Sequence, residues 1–203
     1  KIALAANGAT TGHVDVAKLT PRFPLARPGN FYCLGLNYAD HAKEGGHAVP
    51  DYPAFFIRVR ESLIAAGEPI VRPKVSEQLD YEAELLIIIG KGGRAIPESK
   101  ALDHIFGYTL FNAGSIRNFQ RKASQWTAGK NFDSTGPVGP VVVTADELPP
   151  GAHGLRITSR LNGQTMQDSN TKHMLVSVAK SIALISEFTT LKPGDMIASG
   201  TPE

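Results

Sequence analysis

The segment Asp80-Tyr81-Glu82-Ala83-Glu84-Leu85-Leu86-Ile87-Ile88-Ile89 limits most tightly what this chain can fold into. Its unbroken aliphatic run from Leu85 to Ile89 is what a strand covered on both faces requires. Just before it stand two glutamates, and residues two apart on a strand share a face. Their Cα atoms are then ~6–7 Å apart, at a rise of about 3.3 Å per residue. The acids therefore sit together at the mouth of a buried element. Two carboxylates there repel each other and lose hydration unless a cation or protons neutralise them. A hard divalent ion with oxygen ligands, Mg²⁺, Mn²⁺ or Ca²⁺, is one solution. The same pattern describes a solvent-facing strand end with two surface acids, and spacing alone does not separate the two.

The rest of the chain reads as many short strands between turns, in keeping with 20 glycines and 14 prolines among 203 residues. Strands are expected at Phe31–Leu36, Ala54–Arg58, Gly107–Phe111, Val138–Val143 and Met196–Ser199, with Glu68–Val71 extended at a turn. Leu155–Leu161 and Gln164–Gln167 flank Asn162-Gly163 and predict a hairpin with a type I′ turn. One long helix is expected over Met174–Phe188, with Val178, Ile182, Ile185 and Phe188 on its apolar stripe. Asn37 predicts an N-cap for a short helix over Tyr38–Glu44, stopped by Gly45-Gly46. Strands outnumber helices irregularly, so the fold class is α+β, β-rich, and not a doubly wound sheet. The length suits one domain with at most a small appendage: residues 1–30 as a short N-terminal extension or remnant hairpin, and 31–203 as the main domain.

Composition removes several function classes. A net charge of +2 leaves no broad electrostatic footprint for nucleic acid. No run approaches the ~18 apolar residues of a membrane-crossing helix. The single Cys33 excludes an intramolecular disulfide and a multi-cysteine metal site, and suits the reducing cytoplasm.

Two further stretches carry chemistry. His41 and Glu44 stand i,i+3 on the expected short helix, where a carboxylate can orient an imidazole as a general base; a surface ion pair has the same spacing. Arg117 and Gln120 follow the Gly107 strand in a polar turn that could hold an anionic substrate or its oxyanion. Lys130 lies in a Gly-bounded loop, where a plain surface lysine is the alternative. Arg121 and Lys122 read as solvated charge.

Six phrases, in order, resemble the fumarylacetoacetate hydrolase family, in its acylpyruvase and 2-hydroxyhepta-2,4-diene-1,7-dioate isomerase-like branch. They are Gly35-Leu36-Asn37-Tyr38-Ala39-Asp40-His41, Leu79-Asp80-Tyr81-Glu82-Ala83-Glu84-Leu85, Gly107-Tyr108-Thr109, Ser115-Ile116-Arg117-Asn118-Phe119-Gln120, Gly129-Lys130-Asn131-Phe132-Asp133, and the stretch from Lys192 to Glu203. The resemblance implies a rolled mixed β-sheet with few helices, commonly in a homodimer. It implies Mg²⁺ or Mn²⁺ held by carboxylates, two of them Glu82 and Glu84. His41 and Glu44 fall on a water-activating dyad, and Lys130 and Gln120 on groups that stabilise developing charge. Arg58, Arg117 and Thr201 fall on substrate contacts. The implied substrate is a small 1,3-diketo or 2-oxo acid chelated to the metal, cleaved at a C–C bond, isomerised or decarboxylated through its enolate.

The chain departs from that pattern at two positions. Ala113 stands where the family has a third ligand aspartate, and Asn118 replaces a second acid. Asn112 is no substitute for the aspartate, because its neighbour on an extended strand faces the other way. Three outcomes follow: a weakened metal site with extra water, an impaired or lost hydrolytic function, or a pocket repurposed for metal-free work. Against the family pattern the C-terminal end, stopping at Glu203, is expected to be incomplete.

Overall fold

The computed structural model describes residues 20–38 and 52–203. The expected helix over Tyr38–Glu44, the dyad His41–Glu44 and most of the N-terminal extension therefore lie outside the described residues. The strands are β1 (Phe31–Gly35), β2 (Ala54–Arg58), β3 (Leu63–Ala65), β4 (Leu79–Asp80), β5 (Ala83–Ile89), β6 (Ile105–Asn112), β7 (Ser115–Ile116), β8 (Gly136–Val138), β9 (Val143–Thr144), β10 (Arg156–Leu161), β11 (Gln164–Asn170) and β12 (Met196–Ala198). Eight of them form one mixed sheet in the order β2-β1-β12-β5-β6-β8-β3, with β9 also paired to β6. β1–β12 and β3–β8 are parallel, and the remaining pairs are antiparallel.

Period-two alternation sorts the side chains of this sheet into two cores. Tyr32, Leu34, Leu85, Ile87, Ile89 and Ile197 face the long helix Val178–Phe188, whose Ile182 and Ile185 are fully buried against them. Phe31, Cys33, Leu86, Ile88, Phe111, Ala113 and Met196 form the core on the opposite face. Here the sheet curls. β1 and β6 are separated by β12 and β5, which in a flat sheet puts them about 14 Å apart at ~4.8 Å per strand. Yet the rings of Phe31 and Phe111 lie 4.8 Å apart between centroids. The second face is therefore the concave one, and it carries Glu82 and Glu84 at its mouth.

Local chemistry explains where the elements depart from expectation. The long helix starts at Val178 and not Met174, because the Ser177 side chain caps the Lys180 amide at 3.1 Å. Met174 instead bridges Tyr38 in antiparallel fashion. The Asn37 side chain ties β1 to the segment before the long helix: its Oδ1 accepts from the Val176 amide at 2.7 Å, and its Nδ2 donates to the carbonyls of Val176 and Ser199. Phe188 is half exposed, resting on Phe55 beyond the end of the stripe. Val138–Val143 is not one strand but the ends of β8 and β9, since Pro140 has no N–H to donate to a ladder. The expected strand from Asp80 breaks at Tyr81-Glu82, so Leu79–Asp80 pairs with β7 while β5 pairs with β6. β3 is too short to announce itself in sequence. The β10–β11 hairpin has positive φ at both Asn162 and Gly163, as a type I′ turn requires.

The last strand is placed by a buried aspartate. Asp195 accepts from the Asn30 amide at 2.7 Å and the Lys192 amide at 2.8 Å. This holds the Lys192–Asp195 turn and lays β12 between β1 and β5. Among the described residues no helix is long and apolar enough to cross a membrane. Ile182→Ala leaves a cavity between helix and sheet; it should destabilise the fold by about 3 kcal/mol, read from the denaturant midpoint at unchanged m-value.

Candidate active site

Glu82 and Glu84 are 4% and 1% exposed, which removes the surface-acid alternative. Both line one pocket on the concave face, together with Leu34, Phe56, Gln120, Trp126, Lys130 and Thr201. Each acid is answered by donors from distant parts of the chain. One Glu82 oxygen meets the Lys130 ammonium at 2.5 Å, and the other meets the Arg117 guanidinium at 2.7 Å. Glu84 accepts from the Gly200 amide at 2.6 Å. Burial first, and then the neighbouring Glu82, push the Glu84 carboxyl up to about 8, against the pull of Lys130.

Two short helical turns bring in the other groups. Arg117–Gln120 carries Arg117 and Gln120, and Thr127–Lys130 ends on Lys130. Lys130 is not a surface lysine: it is 2% exposed. Gln120 and Lys130 both reach the pocket wall, as does Thr201. Arg117 stands behind Glu82, donating also to Asp80 at 2.8 Å and to the side-chain Oε1 of Gln120 at 2.9 Å. Burial opposes its charge, but Glu82 and Asp80 more than offset this and hold the guanidinium above its ordinary value. Arg58 lies deeper. Its guanidinium donates to Ser62, Gly114 and Thr135 beneath the pocket, and burial lowers its pKa. Asn118 accepts from the Ser76 hydroxyl, away from the two acids. Arg121 and Lys122 are exposed, as expected of solvated charge.

Four residues of this arrangement were given no role in the sequence reading. Gln167 on β11 accepts from the Ala83 amide, between the two glutamates, and donates to the Thr201 hydroxyl and the Pro202 carbonyl. It pins the C-terminal turn over the acids. Gly200 makes that turn possible: its φ is +87°, and a Cβ there would lie 2.8 Å from the Asn37 Cβ. Phe56 and Trp126 supply the aromatic wall opposite the acids. Each of these depends on a partner far away in sequence. The one local signal was Gly200 within the C-terminal phrase.

Position 113 faces the same way as the acids. Glu84 is opposite Phe111 and Ala83 opposite Asn112, so the register continues to Glu82 opposite Ala113, whose amide donates to the Glu82 carbonyl at 2.9 Å. Asn112 turns its side chain to the Glu82 amide instead, as strand alternation demands. Among the described residues no group of three His, Cys, Asp or Glu side chains is placed to hold a metal. The two carboxylates that remain still suit an ion of the Mg²⁺ class, which uses one or two carboxylates and keeps several waters.

The sequence matches the family described as fumarylacetoacetate (FAA) hydrolase C-terminal over residues 30–203. The chain belongs to the fumarylacetoacetate hydrolase family. Family relatives carry enzyme names of several kinds. The mitochondrial oxaloacetate tautomerase FAHD2A of Bos taurus is 39% identical over 181 residues, covering 88% of this chain and 57% of that protein. The chain thus spans little more than half the length of that relative. Fumarylpyruvate hydrolase from Pseudomonas aeruginosa, solved in complex with Mn²⁺ and pyruvate, superposes with a TM-score of 0.79 at 31% identity, covering 92% of this chain and 87% of that one. The 5-carboxymethyl-2-hydroxymuconate delta-isomerase of Mycobacterium smegmatis gives 0.78 at 34% identity, covering 87% and 66%. The family fold of a curled, β-rich mixed sheet with few helices is the one described above, and the chain is a member of an enzyme family.

Gln167→Ala strands the Ala83 amide without its buried acceptor and releases the turn over Glu84. It should cost about 2 kcal/mol of stability and speed hydrogen exchange at the Gly200 amide, measured residue by residue by NMR.

Proposed function

We propose that this chain binds a small 2-oxo or 1,3-diketo acid against Glu82, Glu84 and Lys130 and hydrolyses a C–C bond of an acylpyruvate-type substrate. The observation that carries this reading is the buried pair of carboxylates sharing a pocket with a buried lysine on the concave face. A divalent cation, Mg²⁺ or Mn²⁺, held by Glu82 and Glu84 would supply Lewis-acid polarisation of the keto oxygen. The remaining work falls to the chain's own side chains. Lys130 and the Gln120 amide donate to the oxygen on which negative charge develops. Arg117 fixes the Glu82 carboxylate and orients Gln120 from behind. Thr201, held by Gln167, offers its hydroxyl to the substrate from the C-terminal turn. Arg58, beneath the pocket, contributes positive charge toward a substrate carboxylate. His41, oriented by Glu44, takes a proton from water, and the resulting hydroxide adds to the acyl carbonyl. The C–C bond then breaks because the departing carbanion is an enolate stabilised by its own carbonyl.

A second reading is isomerisation, tautomerisation or decarboxylation of a 2-oxo dicarboxylate in the same pocket. It is supported by relatives named as an oxaloacetate tautomerase and a hydroxymuconate isomerase. Proton relocation needs no activated water, so this reading does not depend on the His41–Glu44 pair. We further propose that the chain acts as a homodimer, for which the half-exposed apolar side chains Phe106, Leu110 and Val141 offer surface, and in the cytoplasm, which suits its buried free Cys33.

The test is turnover of an acylpyruvate and of enol-oxaloacetate, each with Mg²⁺ or Mn²⁺. Turnover of the first supports hydrolysis, and of the second alone the tautomerase reading. No turnover of either, with folded protein that binds no divalent ion, overturns both. Ala113→Asp restores a carboxylate opposite Glu82 and should raise Mn²⁺ affinity at least tenfold by calorimetry, with activity rising alongside; Glu84→Gln should abolish both.

A further inference from the structure

The pocket has one wall that none of the assigned roles uses. Trp126 begins the turn that ends in Lys130, whose amide donates to the Trp126 carbonyl at 3.1 Å. Its indole lies on the end of β1. A Cβ built on Gly35 would fall 2.1 Å from Cζ3 and 2.6 Å from Cη2, so this approach requires glycine at position 35. The other side of the indole meets the edge of Phe56, with ring centroids 5.7 Å apart and planes at 70°. The Lys130 ammonium in turn sits 5.3 Å from the centre of the Phe56 ring. One aromatic pair thus closes the pocket from Gly35 to the catalytic lysine.

The space left inside is about 30 Å³, room for a water or two. A keto acid of three carbons or more exceeds that inner space, so seating it deep between the acids calls for a wall to shift. The walls are not equally fixed. Glu82 and Lys130 are ion-paired, Glu84 is bonded to Gly200, and Thr201 is held by Gln167. Among the described residues, the half-buried Trp126 ring is seated by packing on Gly35 and Phe56, which makes it the wall that yields.

Resting on the keto-acid reading above, we propose that Trp126 is the specificity-determining residue of this pocket. Its indole caps the end beside Gly35, so short 2-oxo acids are accommodated with a small shift of the ring. Acids with long unbranched tails must expel it from its seat and bind more weakly for that reason.

Trp126 is the only tryptophan in the chain, so its emission reports the event directly. With saturating Mg²⁺, pyruvate and 2,4-dioxooctanoate are titrated into the wild-type protein, Trp126→Ala and Gly35→Ala, with affinities read by calorimetry. Both acids should alter wild-type indole emission. Trp126→Ala should improve the affinity for the long acid relative to pyruvate at least fivefold. Gly35→Ala, whose new methyl group occupies the seat of the ring, should red-shift the emission of the ligand-free protein and move the length preference in the same direction. If Trp126→Ala changes both affinities by the same factor, or if Gly35→Ala leaves the emission in place, the proposal is overturned while the keto-acid reading stands. If neither acid binds the wild-type protein, both fall together.

Discussion

Glu82 and Glu84 place two carboxylates side by side on the inner face of a curled sheet, both nearly sealed from water. Charge in such a place is costly unless it is paired and hydrogen-bonded, and removing one partner of a buried pair typically costs about 3–5 kcal/mol. The surrounding structure can be understood as the supply of those partners. Lys130 and Arg117 come from two helical turns after β7, and the Gly200 amide from the turn after β12. Gln167 arrives from a hairpin outside the main sheet to pin the strand between the two acids. Even after this, the Glu84 carboxyl stays pushed up to about 8, mainly by burial and then by its neighbour. Glu84 therefore holds its proton well above the ordinary carboxylate range, and the cation proposed for this pocket would act by favouring its charged form.

The fold serves this pair of acids through curvature. Because β1 and β6 are drawn together over Phe31 and Phe111, side chains from β2, β5 and the segment after β6 converge on one concavity. The long helix packs on the opposite face and leaves the concave side open for chemistry. The alanine at position 113 sits within this concavity, opposite Glu82, and changes its donor set without disturbing the register. The scaffold therefore holds both acids in place with an alanine, and not a carboxylate, opposite Glu82.

Much of this was legible in the chain itself. The E-x-E pair before an aliphatic run marked both acids on one strand face, because strand periodicity is a local property, but their depth came from the structure. The type I′ hairpin was legible for the same reason. Lys130 and Thr201 were marked only by resemblance to a family; taken by itself, Lys130 also fitted a plain surface lysine. The failures have a common cause in long-range competition. Met174 is taken from the long helix by a bridge to Tyr38. Gln167 and Trp126 gained their roles from partners in other elements, Ala83, Thr201, Gly35 and Phe56, and no local pattern marks such pairings.

All the reactions considered for this pocket share one event, loss of a proton or a carbon from the position next to the keto group to give an enolate. Exchange of the pyruvate methyl protons with D₂O, followed by ¹H NMR in the presence of Mg²⁺, measures that event without choosing among hydrolysis, isomerisation and tautomerisation. The account predicts exchange faster than with Mg²⁺ alone, falling to the Mg²⁺-only rate in Glu84→Gln. Exchange no faster with the folded wild-type protein than with Mg²⁺ alone would contradict it.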